Sequence, residues 1–288
     1  MRDYIIMTDS CCDLPAALVS ELELTVLPLS FCIEGQELYN FPDNREMDPK
    51  VFYGKLRNGA EGTTSAINVG VFQTEMARIA SEGRDILCIS FSSGLSTTYQ
   101  SACIAAKTVM EEFQGCAVTV VDSLAASLGQ GLLVYLAVQE KRKGRSMAET
   151  AAFVEQARNH ICHWFTVDDL NHLKRGGRVS AAAALVGTML QMKPVLHVDE
   201  EGRLIPMQKV RGRKASIAAL LEKMDELVED ASVVFISHGD CEADARSLER
   251  MIREKYPVAT FVLNYVGPVI GNHSGPGTLA LFFQGKHK

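Results

Sequence analysis

Short runs of consecutive apolar residues recur through the first half of the chain, and longer stretches with helical spacing separate them. Tyr4-Ile5-Ile6-Met7, Asp85-Ile86-Leu87-Cys88-Ile89-Ser90 and Ala117-Val118-Thr119-Val120-Val121 do not alternate apolar with polar positions. Strands of that kind are covered on both faces, as in parallel sheets with crossover helices. Helical patterns follow the latter two, from about Ser96 to Phe113 and from Leu124 to Lys143, and a shorter helix is expected from Leu14. Phe31-Cys32-Ile33 and Glu37-Leu38-Tyr39 flank Glu34-Gly35-Gln36, the pattern of a hairpin added to this core.

The second half has a different grammar. Trp164-Phe165-Thr166-Val167 reads as a strand and Asp168 through Lys174 as a short helix. Lys193-Pro194-Val195-Leu196-His197-Val198 and Arg203-Leu204-Ile205-Pro206-Met207 flank the turn Asp199-Glu200-Glu201-Gly202, which predicts another hairpin. A helix from Lys214 to Val228, a strand over Val233-Val234-Phe235-Ile236-Ser237, a further helix and a strand near Phe261-Val262-Leu263 complete the pattern. Hairpins mixed with helices predict an α+β unit. The expected fold class is α/β and two-lobed, with a parallel-sheet α/β lobe over residues 1–158 and a smaller α+β lobe over residues 159–288.

Composition narrows the function classes. At 288 residues and 47% hydrophobic content the chain can fill a sizeable core, so disorder of the whole chain is excluded. Lys and Arg number 29 against 35 Asp and Glu, a net charge of -6, which argues against a general nucleic-acid or anionic-membrane binder. No apolar run approaches the ~20 residues that span a bilayer. Met1-Arg2-Asp3-Tyr4 leads directly into the first strand without a secretory apolar region, so a cytoplasmic protein without stable membrane insertion is expected. The eight cysteines are irregularly spaced and form no C-x-x-C pair, and Cys88, Cys103 and Cys116 read as small core residues. His160-Ile161-Cys162-His163 has metal-ligand residue types, but neighbours on a strand face opposite ways and cannot chelate alone. No metal or cofactor is expected.

Three segments at strand ends or chain reversals carry the candidate chemistry. Thr8-Asp9-Ser10 ends the first strand and suits a helix cap. Ser92-Ser93-Gly94-Leu95-Ser96-Thr97-Thr98 offers five hydroxyls beside a helix start, more than capping needs, and suits an anion. It is neither a Walker A loop nor G-x-G-x-x-G, so nucleotide binding is poorly supported. His273 sits among the glycines and prolines of Gly267 to Gly277, where a backbone-dominated loop would let a ligand approach. Thr63-Thr64-Ser65 alone reads as a helix cap ahead of Val69. Lys174-Arg175-Gly176-Gly177-Arg178 is a positive spot on an acidic chain, for which a glycine helix stop with solvated charges is the more usual reading. Arg211-Gly212-Arg213-Lys214 is similar. Ser93, His273 and Asp122 could form a hydrolase triad, although the G-x-S-x-G elbow is absent.

In order and together, these stretches resemble the DegV family, which includes bacterial fatty-acid-binding proteins. They are Thr8-Asp9-Ser10 with Asp13-Leu14-Pro15, then Thr64-Ser65, then Ser92-Ser93-Gly94-Leu95-Ser96 with Thr98-Tyr99-Gln100, then Val121-Asp122-Ser123. Asp168-Asp169-Leu170, Leu173-Lys174-Arg175-Gly176-Gly177-Arg178-Val179-Ser180, Lys193-Pro194 and Gly271-Asn272-His273-Ser274-Gly275-Pro276-Gly277 follow. Two stretches depart from the pattern: Ala66-Ile67 stand where Gln-Pro is frequent, and Thr97 where glycine is usual.

The resemblance implies one long-chain fatty acid held between two lobes. Its carboxylate would meet Thr64, Ser65, Ser93 and His273, with Arg211 as a compensating cation and Asp9, Ser10, Ser92, Gly94 and Ser96 supporting the loops. It also implies a carrier that presents the lipid to a separate fatty acid kinase and is not itself the catalyst. Lys174, Arg175 and Arg178 would contribute to docking that partner. A lipid-ester hydrolase using Ser93 and a lipid-sensing regulatory protein are the other classes.

Overall fold

The first sheet follows from the unbroken apolar runs. In the computed structural model, which describes residues 2–179 and 192–288, β1 (Tyr4–Asp9) is central. It is followed by α1 (Ala16–Glu21) and β2 (Thr25–Leu27). The sheet is completed by β6 (Asp85–Ser90) and β7 (Val118–Asp122), in the order β2-β1-β6-β7 with every neighbour parallel. The crossovers are α3 (Val69–Ser81), ahead of β6, and α4 (Thr98–Glu112), between β6 and β7.

The expected hairpin is β3 (Ser30–Ile33) against β4 (Gln36–Tyr39), closed by Glu34 and Gly35 at φ 52° and 77°. Both central residues take the left-handed conformation that a tight hairpin turn demands. After α2 (Pro49–Arg57), the Thr63-Thr64-Ser65 stretch departs from the sequence expectation. It forms β5 (Gly62–Ser65), antiparallel to β3, and not a helix cap. Two adjacent β-branched threonines favour a strand, and Asn68 caps α3 instead, accepting from Val71 N at 3.1 Å.

α5 (Leu128–Arg142) starts later than its apolar spacing suggests, because Leu124 and Ser127 sit at φ 49° and 53° and cannot continue a helix. α6 (Met147–Ala157) follows behind a capping box made by Ser146 and Glu149. The second sheet is mixed. Its strands are β8 (Ile161–Thr166), β9 (Met192–Val198), β10 (Leu204–Arg211), β11 (Val228–His238), β12 (Thr260–Tyr265) and β13 (Leu279–Gly285). They lie in the order β10-β9-β8-β13-β11-β12, with only β11 and β12 parallel among the described pairs. α7 (Leu170–Arg175) follows β8, while α8 (Arg213–Leu227) and α9 (Glu242–Lys255) cover the outer face with Trp164, Val234 and Phe283.

The last helix corrects an expectation. The His273 segment is α10 (Pro268–Ser274), not a backbone-dominated loop. Pro268 occupies the first helical turn, where its fixed φ favours a helix start. Gly275 at φ 79° then ends the helix.

α5 joins the two sheets. It packs on β1 and β6 on one side and on β8, β11 and β13 on the other. Leu132, Leu133, Val134, Ala137 and Val138 are all buried, in one core with Ile89, Phe165 and Phe282. A helix apolar on nearly every side must be covered on every side.

Candidate functional site

The polar end of the site is assembled from distant segments. β5 presents Thr64, whose partner in β3 is Phe31. α10 is fixed above it: Asn272 Nδ2 donates to Gly62 O at 2.8 Å. Gly271 lets the helix approach Tyr53, whose Oη donates to Val266 O at 2.7 Å; a Cβ at position 271 would lie 2.5 Å from Tyr53 Oη. His273 Nε2 and Thr64 Oγ1 are thereby brought to 2.8 Å. The other ring nitrogen, Nδ1, is buried without a hydrogen-bond partner among the described residues. A Cβ on Gly176, just beyond α7, would overlap it. Burial, and then the positive charge of Arg178, pull the His273 pKa down from 6.5 to about 4, so the imidazole is neutral at pH 7. With the proton on Nε2, His273 donates to Thr64 and leaves the hydroxyl proton free for an anion.

The hydroxyl-rich segment after β6 is held from below by carboxylates. Asp9 is buried; its Oδ2 accepts from Phe91 N at 2.7 Å and Ser90 Oγ at 3.3 Å, and its Oδ1 from Cys11 N at 3.1 Å. Burial lifts its pKa to about 6 in spite of those bonds. Ser10 Oγ accepts from Leu29 N at 3.0 Å. Asp122 Oδ1 accepts from Ser93 N and Leu124 N, each at 3.1 Å. Ser92 Oγ donates to Gly202 O at 2.8 Å and accepts from Gly94 N at 3.2 Å. A Cβ on Gly94 would lie 2.7 Å from Glu201 O, so glycine lets the β9–β10 turn sit directly on this segment. Ser96 Oγ accepts from Thr98 N at 3.2 Å. Thr97 adopts φ -81° and ψ 5°, open to any residue, so the usual glycine is not needed there.

These elements enclose a cavity of about 400 Å³, within the ~300–1,000 Å³ range of small-molecule sites. Its walls include Phe165, Leu173, Leu204, Val269, Ile270 and Phe282. Thr64, Ser65, Ser93, Ser96 and His273 line it too, and Arg178 is the one charged side chain among the described lining residues. Sequence reasoning placed Arg178 with the docking residues and did not anticipate that it borders His273. Its spacing from Gly176, within a run of charges and glycines, gave no sign of a cavity.

Two polar features away from Thr64 were also missed. Ser127 Oγ, in the cavity wall, lies 2.5 Å from buried Asp13 Oδ2 and 2.9 Å from Ser237 Oγ. Burial raises the Asp13 pKa to about 8, partly opposed by the Ser127 bond. His163, on the cavity-facing side of β8, also lines the wall. Asp13 belongs to the stretch that follows Thr8-Asp9-Ser10, whereas Ser127 and Ser237 stand in no motif the sequence singled out.

The remaining expected residues lie elsewhere. Arg211 is exposed at the end of β10, opposite Met192, and is not among the described lining residues. Lys174 and Arg175 are exposed, with Arg175 paired to Glu61 at 3.0 Å. Ser180 lies outside the described residues. The triad geometry does not form: Asp122 binds backbone amides, and His273 Nε2 meets Thr64 rather than Ser93. Among the described residues there is no cluster of three metal-ligating side chains and no helix long and apolar enough to cross a membrane.

Comparison with known proteins extends the picture. The family model for uncharacterised proteins of the DegV family matches residues 4–286. A DegV domain-containing protein of Clostridium perfringens is 43% identical over 290 residues, covering 100% of this chain and 99% of its own. A solved DegV-family protein from Thermus thermophilus, described by its fatty acid binding, superposes with a TM-score of 0.88 at 33% identity, over 99% of this chain and 100% of that one. The Bacillus subtilis structure described as a fatty acid binding protein gives 0.85 at 29% identity, over 99% and 100%.

Proposed function

The chain belongs to the DegV family, and from that premise we propose that it carries one long-chain fatty acid in the cavity between two lobes, residues 1–158 and 159–288. The observation that carries the reading is the wall itself, built largely from apolar side chains and bordered at one end by hydroxyls, a neutral imidazole and one cation. Burying ~14 methylenes gains on the order of 11 kcal/mol before losses. The carboxylate must be paired as it leaves water. Thr64, Ser65 and Ser93 donate to it, His273 orients the Thr64 proton, and Arg178 supplies the positive charge.

The protein presents its ligand in the cytoplasm to a separate fatty acid kinase and does not perform the phosphoryl transfer. Lys174 and Arg175, with the exposed edge of Arg178, form the basic spot against which that partner docks. The fatty-acid-binding relatives at 33% and 29% identity support the ligand class. Mass spectrometry of an organic extract of the purified protein tests it. One long-chain fatty acid per chain is expected; an empty extract from protein that also fails to take up added fatty acid overturns the reading.

A further inference from the structure

The sheet register gives the cavity a far end. β13 starts just past α10, which carries His273, and runs away from it, so its cavity-facing residues mark increasing depth. Thr278, just ahead of the strand, then Ala280, then Phe282 line the wall at alternate positions. Ala280 is flanked across the sheet by Phe165 and Ser237, and all three line the cavity. One step deeper, ~7 Å along the strand, Phe282 is flanked by His163 and Phe235. Phe235 is fully buried and is not among the described lining residues, and neither are Ile161 and Gln284, the pair beyond.

The wall thus steps from a methyl group to a phenyl ring, and that ring is held from behind. The His163 imidazole stands edge-on to it, with centroids 5.3 Å apart at 90°. His163 is itself fixed by Nδ1, which donates to Ile161 O at 2.8 Å. The backbone of α5 closes over both rings: a Cβ on Gly129 would lie 2.8 Å from Phe282 Cδ1 and overlap the imidazole. Phe282 therefore has no room to swing toward α5, whereas Ala126 and Ser127, just ahead of that helix, still line the cavity.

Resting on the fatty-acid reading, we infer that Phe282 determines the chain length the protein accepts: the methyl end of the ligand stops against its ring, and Ala280 leaves the passage above it open. Each methylene that still finds apolar wall tightens binding about fourfold. A chain too long for the distance from Thr64 to Phe282 gains nothing from its last carbons, because overfilling a packed site forces side chains off their rotamers.

The test is a titration of delipidated protein with unbranched saturated acids from decanoic to eicosanoic acid. Affinity should climb about fourfold per methylene and then break at one length. Phe282→Leu, which shortens the stop, should move the break to a longer chain. Ala280→Leu, which fills space in front of the stop, should move it to a shorter one. Thr64→Val, at the polar end, should lower every affinity and leave the break where it is. The two β13 variants report in opposite directions, so either one that folds is decisive. A break that stays in place in the folded variants, or a steady climb without a break in wild type, overturns the inference alone. Failure of wild type to bind any acid of the series overturns the fatty-acid reading with it.

Discussion

Thr64 and His273 are 209 positions apart in sequence and 2.8 Å apart in space. The contact joins the strand added beside the first hairpin to a helix that leads into the second sheet's β13, so one hydrogen bond spans the cavity's polar end. If it orients the Thr64 proton toward a carboxylate, Thr64→Val and His273→Ala should each weaken fatty-acid binding roughly tenfold. The double variant should lose less than the two effects summed. A double-mutant cycle measured by fatty-acid titration checks this, and strict additivity would refute the coupling.

Gly176 and Gly177 separate steric from conformational effects. Gly176→Ala places a Cβ against His273 Nδ1, so it should displace the imidazole and weaken binding about as much as His273→Ala. Gly177 has φ 67° with nothing within 4 Å of an added Cβ. Gly177→Ala should therefore cost ~1–2 kcal/mol of stability and leave binding unchanged. Thermal unfolding and titration of both variants would distinguish the two.

Acid should destabilise the ligand-free protein through His273. The folded state holds the imidazole near pKa 4 against an ordinary 6.5, so between those values the unfolded chain binds more protons. That contribution is present above pH 6.5 and disappears as pH falls through about 4. Urea unfolding of wild type and His273→Gln across this window should show a smaller slope for the variant.

Asp13 acts with the opposite sign. Its carboxyl is held near pKa 8 against an ordinary 3.8, so the folded state retains a proton that the unfolded chain has lost. This contribution is complete below pH 3.8 and is lost as pH rises through about 8. Asp13→Asn, which stays neutral, should therefore gain stability relative to wild type as the buffer becomes alkaline, as read from unfolding midpoints at matched pH.

Charge reversal at the basic spot tests docking. Lys174→Glu with Arg175→Glu should reduce phosphorylation of the bound lipid by a partner kinase at least tenfold while leaving lipid retention unchanged. Both side chains are exposed, so the fold should tolerate the change. Unimpaired phosphorylation would remove these residues from the docking surface.

The apolar runs made the parallel sheet and both hairpins legible, because a strand buried on two faces leaves a signature in its own few residues. Thr63 to Ser65 misled because their strand exists through a distant partner, β3, and no local pattern announces it. The helix at His273 was hidden by its glycines, of which Gly271 serves the close approach to Tyr53. Ser93 and His273 could be singled out from motifs. Arg178 stood in a motif but its place in the wall did not show, and Ser127 stood in none, since lining a cavity is a property of packing between segments far apart in sequence.

The sharing of α5 has a consequence for how the molecule can come apart. A cut near residue 158 would leave the helix with one half and strip an apolar cover from the other, so neither fragment would be expected to persist by itself. Both sheets should then melt in a single calorimetric event. What is inherited, duplicated or transplanted from this architecture would have to be the entire chain.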